Sequence, residues 1–366
     1  MSRRVPAPAA GLVGPLVLLV ILVLPSSAAP TATGVPLADL PVAGATTPAA
    51  DPTALALLER ASRAPATTPY SGVQFVSAWS SHGATSVVVE VVHQPGHGTT
   101  VRSDGTAQTP AADTFLPAGN GEPSLLGAAT TLTLLAGNYR VQAVGRTTVA
   151  GRPADLVEAR RSGSGALAAR FWLDRATGLV LRREVYDEDG RATRASAFVQ
   201  VEVGRAAVTP HLPPALPDAW ADAVASADLA GMRERGWQCP TQLPGSLTLV
   251  DARRGGAPGA RILHLSYSDG LAALSLFQQR GRLDEERLEG YRRTEVGGAP
   301  VYVRDGVPQR LVWSARGTVF TVVADAPPRT VEGVVGALPH EPADGGGWRR
   351  LGRGLDRVAS WFNPFG

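Results

Sequence analysis

Lysine is absent from the 366 residues, so all 35 basic side chains are arginine. Isoleucine and asparagine are also scarce beside abundant alanine, glycine and proline, a pattern of GC-rich codon bias and not of function. Cys239 is the single cysteine, which excludes an intrachain disulfide, a thiolate zinc site or an iron–sulfur cluster built from this chain alone. The longest unbroken apolar run, Leu16 to Leu24, is far short of the ~20 residues of a membrane-spanning helix. The net charge of +3 and the pI near 9.4 make nucleic acid a weak candidate partner. What is present is ample apolar material: 44% hydrophobic residues exclude bulk disorder and collagen-like repetition and suffice for a sizeable core. The length suggests two domains at ~150 residues each.

Catalytic signatures are missing. Ser162-Gly163-Ser164-Gly165 is the nearest approach to a nucleophile elbow, but it lies between two predicted strands. His93 and His97 are four apart, and the intervening Pro95 and Gly96 forbid the helical geometry of a zinc-binding pair. Asp187-Glu188-Asp189-Gly190 starts like a calcium loop, yet Phe198 stands where the bidentate glutamate is required. Gly255 to Gly259 lacks the lysine and helix of a phosphate loop. No catalytic residue, metal site or cofactor is expected, and the chain reads as a non-enzyme.

Arg3 and Arg4, an apolar stretch from Gly11 to Leu24 and the small residues Ser26 and Ala28 follow the order of an export signal. Residues 1–28 are therefore expected to be a signal peptide cleaved after Ala28, with an uncleaved anchor as the other reading. The remainder is placed outside the cytoplasmic membrane. Residues 29–52, rich in Pro, Ala, Thr and Gly, cannot bury enough surface to fold and read as a linker. Residues 53–206 open with a short helix ending before Pro65 and continue as strands joined by short turns, with a polar loop over 110–122 and a helix over 125–135. Such turns imply antiparallel pairing. Residues 207–236 form a Pro-rich linker with a helix around 220–233. Residues 237–340 hold six strands and a closing helix at 330–338. The expected fold is α+β and β-rich: a curled antiparallel half-barrel followed by a smaller α+β domain.

In the first domain the strands are apolar on both faces. Phe171 and Trp172 are adjacent, so their rings must lie on opposite sides of the sheet. An open concave face would make an apolar groove suited to acyl chains, with Phe75, Trp79, Val91, Phe171, Trp172 and Leu181 as candidate lining residues. Burial of both faces by protein is the equal alternative. Cys239, beside Trp237 and Pro240, reads as a buried core residue.

Several motifs carry a family resemblance. Leu57-Leu58-Glu59-Arg60-Ala61, Tyr70-Ser71-Gly72 and Arg170-Phe171-Trp172-Leu173-Asp174-x-x-Thr177-Gly178-Leu179 resemble the N-terminal domain of the MucB/RseB sigma-E regulatory proteins. Gly236-Trp237-x-Cys239-Pro240, His264 to Leu271 and Trp313 to Phe320 resemble the C-terminal domain in its actinobacterial form. The resemblance covers residues 53–340. It implies a LolA-like half-barrel and a second domain that docks the extracytoplasmic segment of a membrane anti-sigma factor. Lipid in the half-barrel would release that partner and so report envelope stress. Candidate partner contacts are His264, Tyr267, Asp269, Trp313 and Arg316. The alternative is an extracytoplasmic carrier of lipid or lipoprotein, for which a second domain is superfluous.

Residues 341–366 end the chain with Trp348, Leu351, Leu355, Val358 and Phe362 at helical spacing, and with Arg349, Arg350, Arg353 and Arg357 mostly on the other side. This basic amphipathic pattern suits a membrane interface, anchored further by Trp361, although packing on the second domain is the competing reading. Deleting 347–366 is expected to reduce co-sedimentation with anionic liposomes; unchanged sedimentation would remove the membrane role.

Overall fold

The computed structural model describes residues 51–80, 83–103, 112–117, 129–204, 222–255, 262–306 and 308–341. Its first element, helix α1 (Pro52–Thr67), owes its start to Asp51. That carboxylate accepts from Thr53 N at 2.9 Å and from Ala143 N at 3.0 Å, so one side chain caps the helix and ties it to strand β5 (Tyr139–Val149). The helix runs past Pro65, where the sequence suggests it should stop. Proline removes one backbone bond there. The turn survives because Thr68 N donates to Ala64 O and the Pro65 carbonyl lies 2.6 Å from Nε2 of the buried His93.

The first sheet comprises β1 (Tyr70–Ser80), β2 (Gly83–Gln94), β3 (Gly98–Ser103), β4 (Ala112–Pro117), β5, β6 (Arg152–Arg161), β7 (Leu167–Asp174), β8 (Val180–Tyr186) and β9 (Ala192–Val203). Its order is β4-β3-β2-β1-β9-β8-β7-β6-β5, antiparallel throughout, and its two edge strands do not pair. This is the open, curled antiparallel sheet expected. Strand β4 occupies part of the stretch read as a polar loop, and α2 (Ala129–Asn138) sits later than the helix expected over 125–135.

Register decides which side chains share a face. Val76 pairs with Val87 and Ser196, Ser196 with Arg183, and Arg183 with Phe171. This face meets α1, whose Ala54, Leu58 and Ala61 form one buried cluster with Phe171, Leu173, Val157 and Val141. On the opposite face Phe75 pairs with Val88 and Ala197, and Ala197 leads through Arg182 to Trp172.

The Asp174-x-x-Thr177-Gly178 motif is a structural turn. Asp174, 1% exposed, accepts from Thr177 N and Oγ1 and from both Nε and Nη2 of Arg152. Gly178 takes φ +84°, and a Cβ there would lie 3.1 Å from the Arg60 side chain, so the turn lies tight against α1.

The second sheet contains β10 (Asp222–Ala223), β12 (Leu247–Gly255), β13 (Ile262–Ser268), β14 (Ala273–Arg280), β15 (Arg292–Val296), β16 (Ala299–Arg304), β17 (Gln309–Ala315) and β18 (Thr318–Asp325), in the order β10-β12-β13-β14-β18-β17-β16-β15; β11 (Gln242–Leu243) pairs with β12. Helices α3 (Asp228–Glu234) and α4 (Pro328–Ala337) cover one face through Leu229, Met232, Val331, Val334 and Val335. The helix expected around 220–233 is thus shorter: 222–223 form a strand, and Leu229 and Met232 belong to the core of the second domain. Trp313 is wholly buried at its centre, donating from Nε1 to Pro339 O at 2.9 Å and stacked between Phe320 and His340. Trp313→Ala is expected to cost about 3–5 kcal/mol in thermal denaturation, and Trp79→Ala, on a partly exposed ring, far less.

Candidate functional site

The two domains meet through the tip of the β13–β14 hairpin. Asp269 Oδ1 accepts from Leu271 N at 2.8 Å and Ala272 N at 2.7 Å, which folds the tip into a tight turn. Its other oxygen accepts from Tyr139 Oη of the first domain at 2.6 Å, and its carbonyl accepts from Asn138 Nδ2 at 2.9 Å. Gly270 has φ +101° and lies so close to α2 that a Cβ would meet Leu135 N at 2.3 Å, so only glycine fits. Leu271 is 7% exposed and belongs to the apolar cluster of the first domain, and its carbonyl accepts from Arg183 Nη2 at 2.7 Å. Burial, followed by the charge of Asp269, pushes the Tyr139 phenol well above its usual range, so it stays a donor.

A second polar contact lies nearby, an ion pair between Arg194 of β9 and Asp325 of β18. Burial works to raise the Asp325 pKa, but the charges of Arg194 and Arg183 outweigh it and hold the carboxyl below the usual range. Arg183 is itself pushed down by burial, against the pull of Asp325, and its Nε has no hydrogen-bond partner.

Beside these contacts a cleft of about 380 Å³ runs between the domains. Ala78, Trp79, Val185 and Arg194 line it from the first sheet, and Leu271, Leu311 and Val331 from the second domain. The volume lies in the usual range for small-ligand sites, roughly 300–1,000 Å³. Acidic Glu295, Asp305 and Glu332 and basic Arg292 also line it, so its chemistry is apolar with a charged margin. No group of three or more His, Cys, Asp or Glu able to hold a metal occurs among the described residues. No helix among them is long and apolar enough to cross a membrane.

The candidate groove residues do not converge on one surface. Phe171 is fully buried under α1, whereas Trp172 lies on the opposite face with the Arg182 guanidinium 4.6 Å from its ring centre. Val91, Trp172 and Leu181 nevertheless share a further buried cluster, separate from that of Phe171. Phe75 and Trp79 are 43% and 39% exposed, and only Trp79 reaches the cleft. The candidate partner contacts divide similarly. Tyr267 is a core residue donating to Pro240 O, Trp313 is the core residue described above, and Asp269 is spent on the domain junction. Arg316 is exposed at the β17–β18 turn, where its N–H donates to Glu341. His264 stacks on Phe277 and lies 2.9 Å from Ser275 Oγ. The tail residues Trp348, Leu351, Leu355, Trp361 and Phe362 lie outside the described residues. Cys239 is buried, and burial pushes its thiol up to about 11. The residues that sequence reasoning missed are Tyr139, Arg183 and Arg194: their partners lie some 90 to 130 positions away, beyond any local pattern.

Fold and cleft define a two-domain protein of open antiparallel sheets joined by a buried hairpin tip. Residues 95–218 match the family model described as the MucB/RseB N-terminal domain. The Sigma factor AlgU regulatory protein MucB of Pseudomonas aeruginosa is 29% identical over 210 residues, 57% of this chain and 63% of that protein, so the match leaves more than a third of the relative unspanned. A crystal structure of MucB in complex with MucA(peri) covers 79% of this chain and 100% of its own, at 21% identity and a TM-score of 0.48. The Pseudomonas aeruginosa MucA/MucB complex covers 79% and 99%, at 22% and 0.47.

Burial, aided by the Arg253 charge, pushes the His264 imidazole down from 6.5 to about 4. Between those values the unfolded chain takes up a proton that the folded chain refuses, so stability falls as pH falls through the window. The loss is of order 3 kcal/mol. His264→Gln should flatten that part of the stability–pH curve measured by chemical denaturation.

Proposed function

We propose that this protein is an extracytoplasmic regulator that holds the external segment of a membrane anti-sigma factor and releases it when an envelope lipid occupies the first domain. The observation that carries the reading is the MucB/RseB match over 95–218, in a chain whose curated relative is named for regulating a sigma factor. The cleft supports it. Apolar Val185, Leu311 and Val331 beside acidic Glu295 and Glu332, with Asp305 paired to Arg292, suit a peptide that brings apolar and basic side chains together. A lipid carrier would need only the first sheet, and here a second sheet with its own core is docked on the first. Binding without catalysis agrees with the absence of a catalytic signature in the sequence. Release by lipid requires that the lipid bind the partner-free form more tightly than the complex.

The test is direct. The exported chain should co-purify with a membrane protein whose cytoplasmic part binds a sigma factor. Glu332→Arg, an exposed change on the wall of the cleft, should weaken capture of that protein's external segment about tenfold or more, equivalent to about 1.4 kcal/mol. Arg182→Glu, on the far face of the first sheet, should leave capture unchanged. Recovery of no such protein, or equal capture by both variants, would overturn the proposal.

A further inference from the structure

The hairpin tip Ser268–Ala272 does more than join two domains, because it places a second-domain leucine inside the apolar cluster of the first. Leu271 packs among Leu135, Tyr139, Phe171 and Val180, side chains that also pack with α1. The same leucine lines the cleft, so a ligand entering the cleft would meet it. Its surroundings are built for a removable element. The tip is a self-contained turn, closed by Asp269 Oδ1 on two backbone N–H groups and by Ser268 Oγ donating to Ala272 O at 2.9 Å. Its links to the first domain are polar contacts made by Tyr139, Asn138 and Arg183, the close approach of Gly270 to Leu135, and Leu271 itself. Burying one leucine contributes only a small part of what an acyl chain of many methylenes would gain in the same place. The junction carries a cost, because Arg183 is buried with an unpartnered Nε, and the Arg194–Asp325 ion pair helps to hold it closed.

We propose that the Ser268–Ala272 tip is an autoinhibitory plug: Leu271 occupies the entrance to the interior of the first domain, and a single-chain acyl ligand competes with it for that place. The proposal rests on the reading that the first domain takes a lipid, and it names where the chain enters and what it displaces. Displacing the tip breaks the Arg183 bond to the Leu271 carbonyl and the Tyr139 bond to Asp269, and so alters the cleft between the domains. That couples acyl binding to whatever the cleft holds.

The experiment titrates the exported chain with a dansyl-labelled fatty acid and follows its fluorescence. Leu271→Glu cannot keep its side chain in the apolar interior and should bind the probe about tenfold more tightly than the unaltered chain. Arg194→Asp and Asp325→Arg, which break the domain contact without touching the interior, should each tighten binding, and the double exchange should restore the original affinity. Equal affinity in Leu271→Glu and the unaltered chain overturns the plug while leaving the lipid reading intact. Should Leu271→Glu fail to fold, equal affinity in the two charge variants overturns it in the same way. No binding by any variant, the freed ones included, overturns the lipid reading and the plug with it.

Discussion

The carboxylate of Asp269 organises the meeting of the two domains. One oxygen shapes the turn that carries Leu271, and the other receives the phenol of Tyr139 across the boundary. A buried carboxylate is tolerable only when its lone pairs are satisfied, and here four N–H and O–H donors converge on Asp269, three on its carboxylate and one on its carbonyl. The glycine that follows brings the turn within contact of α2, and the leucine after it reaches the core of the neighbouring domain. Each step depends on the one before it. Without the carboxylate the turn loses the acceptor of two of its N–H groups and its bond to Tyr139, leaving Ser268 and Arg183 to hold it.

The same economy governs the first sheet. Its helix side is apolar and sealed by α1, and much of its far side is a lattice of charges: Glu158 accepts from Arg160 and Arg170, and Arg182 stacks on Trp172 while pairing with Glu184. The apolar strip of Phe75, Val88 and Val199 on that far side lacks such a cover and stays partly exposed. Both residues of this two-sided pair are therefore buried. Phe171 belongs to the cluster under α1, and Trp172 belongs to the cluster that holds Val91 and Leu181, with the Arg182 guanidinium over its ring.

Much of this architecture was legible in the residues. The alternation in 73–79, the β-branched run in 84–92 and the Asp189-Gly190 turn identify strands and a hairpin because side-chain direction in a strand has period two and turns need particular backbone angles. The most regular part of the family motifs, Asp174 to Leu179, is conspicuous because a buried carboxylate and a left-handed glycine allow few alternatives. What was not legible depends on distant partners. Strand β4 has little apolar pattern and exists through its pairing with β3. Pro65 remains helical because His93 supports its carbonyl from another strand. Tyr267, Trp313 and Asp269 have the residue types of a binding surface but are used for core and junction.

The sequence by itself determined that the chain is β-rich and that its strands are antiparallel, since periodicity and turn chemistry are local properties. It also determined the resemblance that gives the protein its proposed role. Only the tertiary structure decided which apolar residues are core and which face the cleft, and that a second-domain leucine sits in the first domain. The reason is physical: burial and buried hydrogen bonds are set by residues brought together from 88 to 131 positions apart, and no window along the chain contains both partners.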